Sequence, residues 1–169
     1  MESVGKALLA VPVVALVLLG GAQARDRALY RSAAARTTYK AAVHGSADAQ
    51  ARLGALLTTG EGVARSAAAA FQWLSRAADQ GHARAQLMLS EAWAHGRGVP
   101  RNNSFAYKWA YLAHSNATDR DIRAKADALL ATLSQQMSAA QVDEAMQWAV
   151  AWKPRTETPG LAQSRTHGV

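Results

Sequence analysis

Small and apolar residues recur at three- and four-residue intervals through the middle of the chain, the spacing that places them on one face of an α-helix. In residues 47–59 the stripe consists of Ala49, Leu53 and Leu57. In residues 83–95 it consists of Ala85, Leu89 and Trp93. Residues 67–80 and 103–115 carry a second stripe that includes a tryptophan in each stretch. The pattern therefore predicts four helices.

These helices form two copies of one unit. When the chain is shifted by 36 residues, residues 45–79 align with residues 81–115 without a gap, and 12 of the 35 pairs are identical. The identical pairs include Trp73 with Trp109 and a G-x-G-V sequence at residues 60–63 and 96–99. Alanine bias does not explain these matches, so we predict two repeats, at residues 45–80 and 81–115.

The breaks between helices have clear chemical signals. Glycines at residues 60–62 and 96–98 end the first helix of each repeat and permit a tight turn. Ser66 and Asn102 hold the same repeat position, and both residue types are good N-caps for the second helix. Helix, glycine turn and helix make an antiparallel pair in each unit. Stacked pairs predict an all-α fold, a short right-handed α-solenoid with about two full repeats.

The flanking regions are expected to close the ends of this stack. Residues 25–44 are predicted to form an N-terminal helical cap. Residues 116–153 contain a helix at 119–133 and a second one opened by the capping box Ser138 to Gln141, and we expect this pair to cap the other end. Residues 154–169 lack periodicity and are predicted to be a disordered tail.

The repeat resembles a known family. A first helix with A-x-A-Q-x-x-L, a G-x-G-V turn and a second helix with A-x-x-W-x-x-x-A-A-x-x-G are similar to the Sel-one-like repeat, a relative of the tetratricopeptide repeat. The pattern is interrupted at Leu89-Ser90, where the first repeat keeps Leu53-Gly54. Ser66 and Asn102 also replace the acidic residue usual after the turn. The resemblance implies a non-enzymatic adaptor for protein–protein interaction.

The N-terminus resembles a targeting or anchoring segment. Residues 7–19 form an uncharged run of 13, and Ala22-Gln23-Ala24 has the small-x-small form preferred by signal peptidase. Residues 1–24 are therefore either a cleaved signal peptide or a retained apolar transmembrane helix, in which residues 4–24 make a marginal span. In both cases the chain from Arg25 onward is expected outside the cytoplasm, in the periplasm or on the inner membrane facing it. The retained anchor gives the alternative function, an accessory subunit of an inner-membrane protein complex.

Composition excludes several kinds of chemistry. Among the 169 residues there is no Cys, which excludes disulfides, zinc–thiolate sites, iron–sulfur clusters and a cysteine nucleophile. The five His lack metal-ligand spacing, and no nucleophile motif or paired acid and base is apparent. We therefore predict no metal, no cofactor and no enzymatic activity. The formal net charge is +7, but Lys and Arg are spread along the chain, which favours an acidic protein or a lipid surface over nucleic acid.

The candidate partner-binding residues lie off the core stripe of the two first helices. Matching repeat positions three and four residues apart share one side of each helix. A partially exposed tryptophan on the last helix is a further candidate, and an ordinary solvated surface is the alternative interpretation of the whole set. The candidates are Arg52, Ala55, Thr59, Met88, Glu91, His95 and Trp148.

Overall fold

The computed structural model describes residues 30–156, and in that range the regular elements are α-helices. The predicted N-terminal apolar helix and residues 157–169 of the predicted tail lie outside the described residues. Within residues 30–156, no helix combines the length and hydropathy needed to cross a bilayer. In chain order the helices are α1 (Ala33–Val43), α2 (Ala47–Thr59), α3 (Ala67–Asp79), α4 (Ala83–His95), α5 (Asn103–Asn116), α6 (Arg120–Ser134) and α7 (Ala139–Val150).

The four repeat helices form where the sequence pattern predicts them. α2 and α4 have the expected bounds, whereas α3 ends one residue earlier and α5 one residue later. The side chain of Ser66 accepts the amide of Ala69 at 3.3 Å, and that of Asn102 accepts the amide of Phe105 at 3.0 Å. Each cap satisfies an amide that the first turn of a helix leaves without a partner. Both predicted N-caps are confirmed.

The glycine turns allow each first helix to end sharply and the chain to reverse. Gly60 and Gly96 cap α2 and α4 with φ of 83° and 67°, in the left-handed region that L residues rarely adopt. Gly98 is needed for a different reason, since a Cβ atom built on it would lie 2.3 Å from the carbonyl oxygen of Ala67. The turn of the second repeat therefore packs directly against the start of α3.

α1 packs on the first repeat as the second helix of a preceding unit would. The amide of Ser32 donates to the carbonyl of Gly62 at 3.1 Å, and Tyr30 forms an isolated antiparallel bridge with Val63. These contacts join the turn of the first repeat to the start of α1. The same relation joins the second repeat to α3, 36 residues later along the chain.

Buried glutamines tie successive units together. Gln50 and Gln86 have no exposed surface. The Nε2 atom of Gln86 donates to the carbonyl of Ala78 at 3.2 Å, and its Oε1 atom accepts from Nδ2 of Asn116 at 3.0 Å. Gln50 makes the equivalent two contacts one unit earlier. Each glutamine thus joins a first helix to the ends of two second helices. This shared structural role explains why both repeats have a glutamine at this position.

The tryptophans at the shared repeat position are packed to different depths. Trp109 is 7% exposed and lies in a cluster with Leu74 and Leu89, at the joint between the repeats. Trp73 is half-buried against the neighbouring cluster, where its ring meets the edge of Tyr39. Both therefore contribute to packing between units, as expected for core positions.

α7 lies against α5 and runs parallel to it. The ring of Trp148 lies 5.4 Å from that of Phe105, and the ring of Trp152 lies 6.2 Å from that of Trp109, measured between centroids. Because both residue numbers increase together in the two pairs, the helices point the same way. α6 packs directly against α5, where Leu133, which is 2% exposed, lies in a cluster with Ala106 and Tyr107.

Candidate partner-binding site

A groove lies between the two repeats, where the end of α2, the start of α3 and the end of α4 meet. Its volume is about 230 Å³, and apolar side chains from α3 and α4 line it. Charged side chains stand beside these apolar residues. We call it the inter-repeat groove and define it by Arg65, Phe71, Leu74, Met88, Glu91 and Arg97.

The lack of a side chain at Gly54 sets how closely α2 approaches α3 beneath the groove. A Cβ atom at this position would lie 2.6 Å from Cγ of Leu74, which is itself 2% exposed. The equivalent residue of the second repeat is Ser90, whose hydroxyl donates to the carbonyl of Ala106 at 2.6 Å. The departure from the family's Leu-Gly pair is therefore accommodated by a hydrogen bond between α4 and α5.

The turn between α4 and α5 carries Arg97 to the groove. Its amide donates to the carbonyl of Ala92 at 2.9 Å, which continues the last turn of α4. On the other side of Arg97, Gly98 is pressed against the backbone of Ala67 and Ala68. Backbone contacts on both sides therefore fix where this arginine leaves the turn.

The groove has more positive than negative charge. Arg65 and Arg97 are exposed, and within residues 30–156 neither forms an ion pair. Glu91 is half-buried and is the one carboxylate among the lining residues. Two arginines against one glutamate leave the groove able to attract an anionic group.

The structure brings together two of the predicted partner-binding residues. Met88 and Glu91 both line the inter-repeat groove. Arg52, Thr59 and His95 are exposed on α2 and α4 but do not line it. Trp148 is 37% exposed and packs on α5, apart from these residues. The role of each in binding stays a prediction.

Sequence reasoning missed four of the six residues that define the groove. Phe71 and Leu74 lie on the second helix of the first repeat, whereas the predicted binding residues lie mainly on the first helices. Arg65 follows the first glycine turn and Arg97 lies within the second, and both turns are interpreted from the sequence as purely structural. One signal was available, because Arg97 takes the place of Glu61 within an otherwise identical G-x-G-V turn. The turn requires its glycines, but it does not require this reversal of charge.

The histidines take part in contacts between helices. Nδ1 of His82 accepts the amide of Ala85 as the N-cap of α4, and Nε2 lies 3.1 Å from a carboxylate oxygen of Asp48 on α2. His114 pairs with Asp127 at 2.5 Å, which joins α5 to α6. In the part of the chain that the structure describes, no group of three or more His, Cys, Asp or Glu could hold a metal ion. The absence of a metal from the protein stays a prediction.

Lys108 lies beneath the segment that follows α7. Its Nζ atom is 4.6 Å from the centre of the Trp109 ring, and the amide of Arg155 donates to the carbonyl of Asp79 nearby at 2.7 Å. Burial lowers the pKa of Lys108 below its ordinary value of 10.5; the charge of Asp79 acts against this change and that of Arg155 adds to it. Lys108 does not line the inter-repeat groove.

Comparison with known proteins finds the same repeated unit in this part of the chain. The family model described as Sel1 repeat matches residues 47–82 and 83–113. Each match begins at the first residue of a first helix and includes the second helix or most of it. Among curated proteins, none matches the chain significantly.

Two solved structures extend the comparison. The chain is similar to a protective antigen present in uropathogenic Escherichia coli strains that displays an SLR fold, with 29% identity and a TM-score of 0.63 over 69% of this chain. The match spans only about a quarter (24%) of that antigen. A Sel1 repeat protein from Oxalobacter formigenes is 30% identical with a TM-score of 0.51, and the match covers 55% of this chain and 69% of that one.

The sequence motifs, the helical structure of residues 30–156 and these matches agree on the same repeat. The expected all-helical fold is confirmed for this range. The chain therefore belongs to the Sel1-like helical repeat family.

Proposed function

We propose that the protein is a non-enzymatic adaptor that binds another protein through the side of the stack formed by α2 and α4, outside the cytoplasm. The observation that carries the proposal is the inter-repeat groove, an apolar groove bordered by two arginines that form no ion pair within residues 30–156. Exposed residues are also present on both first helices, Arg52 and Thr59 on α2 and His95 on α4.

The size of the groove favours a protein partner over a small molecule. Its volume of about 230 Å³ is below the range of roughly 300–1,000 Å³ typical of small-molecule sites. A stack of helical pairs instead offers an extended surface built from neighbouring units. A partner that covers this surface can place one side chain in the groove and contact Arg52, Thr59 and His95 around it.

A charge reversal tests the proposal. We expect Arg52→Glu to lose the protein that the native chain captures from its host, because this charge lies on the proposed surface. Arg120→Glu, on exposed α6, is the matched control and should retain capture. Equal capture by both variants would contradict binding through the α2–α4 side.

The proposed location rests on residues 1–24. The apolar run at 7–19 and the small-x-small sequence before Arg25 support export to the periplasm. The same run supports the second candidate, in which residues 4–24 stay as a membrane anchor and the repeats join an inner-membrane complex. N-terminal sequencing of the native protein distinguishes them: a start at Arg25 contradicts the anchor, and a start at or near Met1 contradicts cleavage.

A further inference from the structure

We infer that the inter-repeat groove binds an acidic peptide segment that carries one apolar side chain between carboxylates. This inference rests on the proposed adaptor function and adds to it the chemistry of the partner. It depends on two features of the groove, its apolar lining and its unbalanced charge.

The apolar lining fits a single side chain. Phe71 and Leu74 come from α3, Met88 comes from α4, and all three line the same small volume. Leu74 is held under the close contact with α2, and the ring of Phe71 packs at 5.3 Å against that of Trp93. Because these contacts fix part of the lining before binding, an entering Leu, Met or Phe side chain would bury apolar surface with little rearrangement.

The charges beside this lining select the flanking residues. Arg65 precedes α3 and Arg97 follows α4, so the two guanidinium groups come from different repeats. A guanidinium group binds a carboxylate through two parallel N–H···O bonds, which a lysine cannot reproduce. Glu91 offsets one of the two positive charges, and the remaining balance favours a ligand with carboxylates near each arginine.

The occupant is expected to be another protein. A second copy of the chain has the same net charge of +7 and is therefore poorly complementary. Residues 157–169 contain one acidic residue, Glu157, and residues 1–29 contain only Glu2 and Asp26. Neither stretch has an apolar residue enclosed by carboxylates, so this chain does not supply the proposed segment.

The test begins with a displayed library of random 12-residue peptides selected on the full chain. We expect the selected peptides to be enriched in Asp and Glu on both sides of a Leu, Met or Phe. A labelled acidic peptide with a central Leu then serves as the probe in fluorescence polarisation. Versions with Gly in place of Leu, or with Lys in place of the acidic residues, should bind more weakly.

Matched variants locate the binding site. The double variant Arg65→Glu and Arg97→Glu should weaken the acidic probe by about tenfold or more, because the reversed charges repel its carboxylates. The double variant Arg84→Glu and Arg120→Glu makes the same change in net charge on exposed residues outside the groove, and should change affinity by no more than about twofold. Thermal unfolding of both variants checks that each is folded.

The outcomes separate this inference from the function on which it rests. Equal loss of affinity in the two double variants, or enrichment of neutral or basic peptides, would overturn the acidic-segment inference. If such peptides compete with the captured partner and depend on Arg52, the adaptor proposal stands without it. If neither peptide nor protein binding responds to the variants of Arg52, Arg65 and Arg97, both proposals fail.

Discussion

At the scale of single residues, one amide side chain connects three helices at each joint of the stack. Gln86 lies on α4, accepts from Asn116 at the end of α5 and donates to Ala78 near the end of α3. It is fully buried, so solvent cannot replace either partner. The amide thus aligns the second helices of neighbouring units as well as filling space.

Replacing this amide with an apolar group of similar size should destabilise the stack. We expect Gln86→Leu to lower the free energy of unfolding by about 1–3 kcal/mol, because the carbonyl of fully buried Ala78 loses a donor and Asn116 loses its acceptor. Gln72→Leu, at an exposed position on α3, is the control and should change it by less than about 0.5 kcal/mol. Urea unfolding measures both, and equal effects would contradict the proposed role of the amide.

Lys108 predicts a pH dependence of stability. Burial lowers its pKa in the folded chain, whereas unfolding returns the side chain to water and to its ordinary value of 10.5. The unfolded chain therefore binds the proton more tightly, so the cost of burying charged Lys108 is present at neutral pH. That cost is removed as the pH rises through the lowered pKa, and the effect is complete above 10.5.

The comparison that isolates this effect uses Lys108→Met, which keeps a long apolar side chain beside Trp109. The stability of the native chain relative to this variant should increase between neutral pH and about 10.5. Lys125→Met on exposed α6 serves as the reference. If the difference in free energy of unfolding between the native chain and Lys108→Met stays constant over this pH range, the lowered pKa of Lys108 is contradicted.

At the scale of elements, the turn of the second repeat is held by a backbone contact with α3. Gly98 and Gly96 both have positive φ, 77° and 67°, but their surroundings differ. A Cβ atom at Gly98 would lie 2.3 Å from the carbonyl of Ala67, whereas at Gly96 no neighbouring atom would be closer than 3.5 Å. The two positions therefore separate the cost of the left-handed conformation from the cost of displacing α3.

We expect Gly96→Ala to lower the free energy of unfolding by about 1–2 kcal/mol through conformation alone. Gly98→Ala should lower it by about 1–3 kcal/mol more, because the turn must move away from α3. Chemical denaturation of the two variants measures the difference. Equal values would show that the turn does not pack tightly against α3.

The chain should be held more firmly just after α7 than in the last turn of the helix. The ring of Trp152 meets that of Trp109 and also lies near Gly81, whereas Trp148 is partly exposed. We expect Trp152→Ala to cost at least about 1 kcal/mol more stability than Trp148→Ala, because it removes a more buried aromatic pair. Thermal unfolding compares the variants. A larger loss for Trp148→Ala would contradict the packing of α7 described above.

Local signals explain why the elements could be predicted and why their packing could not. Ser66, Asn102 and the glycine turns act on residues within one helical turn of themselves, so a single sequence reveals the helix bounds. The capping box of Ser138 and Gln141, also local, is confirmed. The parallel course of α7 depends instead on ring contacts between α5 and α7, which no local pattern contains.

At the scale of the whole molecule, the 36-residue period predicts the stack but only part of the candidate site. Met88 and Glu91 were found because they lie off the core stripe of a first helix. Arg65 and Phe71 were missed because the groove forms between units, where side chains from a preceding second helix meet the next first helix. The sequence specifies each unit, and the joint between units creates the groove.

The E. coli antigen contains a similar stretch within a longer chain. The chain spans 24% of that protein, so the same repeat occurs there within a much longer chain. In this chain α1 and α7 contact the two repeats at their ends. The two repeats therefore provide one central inter-repeat groove among the described residues.

Photo-crosslinking in the native host tests the proposed α2–α4 surface most directly. A benzoylphenylalanine residue is placed at position 95, exposed at the end of α4 beside the groove, and in a separate variant at position 131, exposed on α6. We expect a discrete crosslinked product with another protein from position 95 and not from position 131. No product from position 95, or the same product from both positions, would contradict the proposal that the stacked repeats bind a partner through α2 and α4.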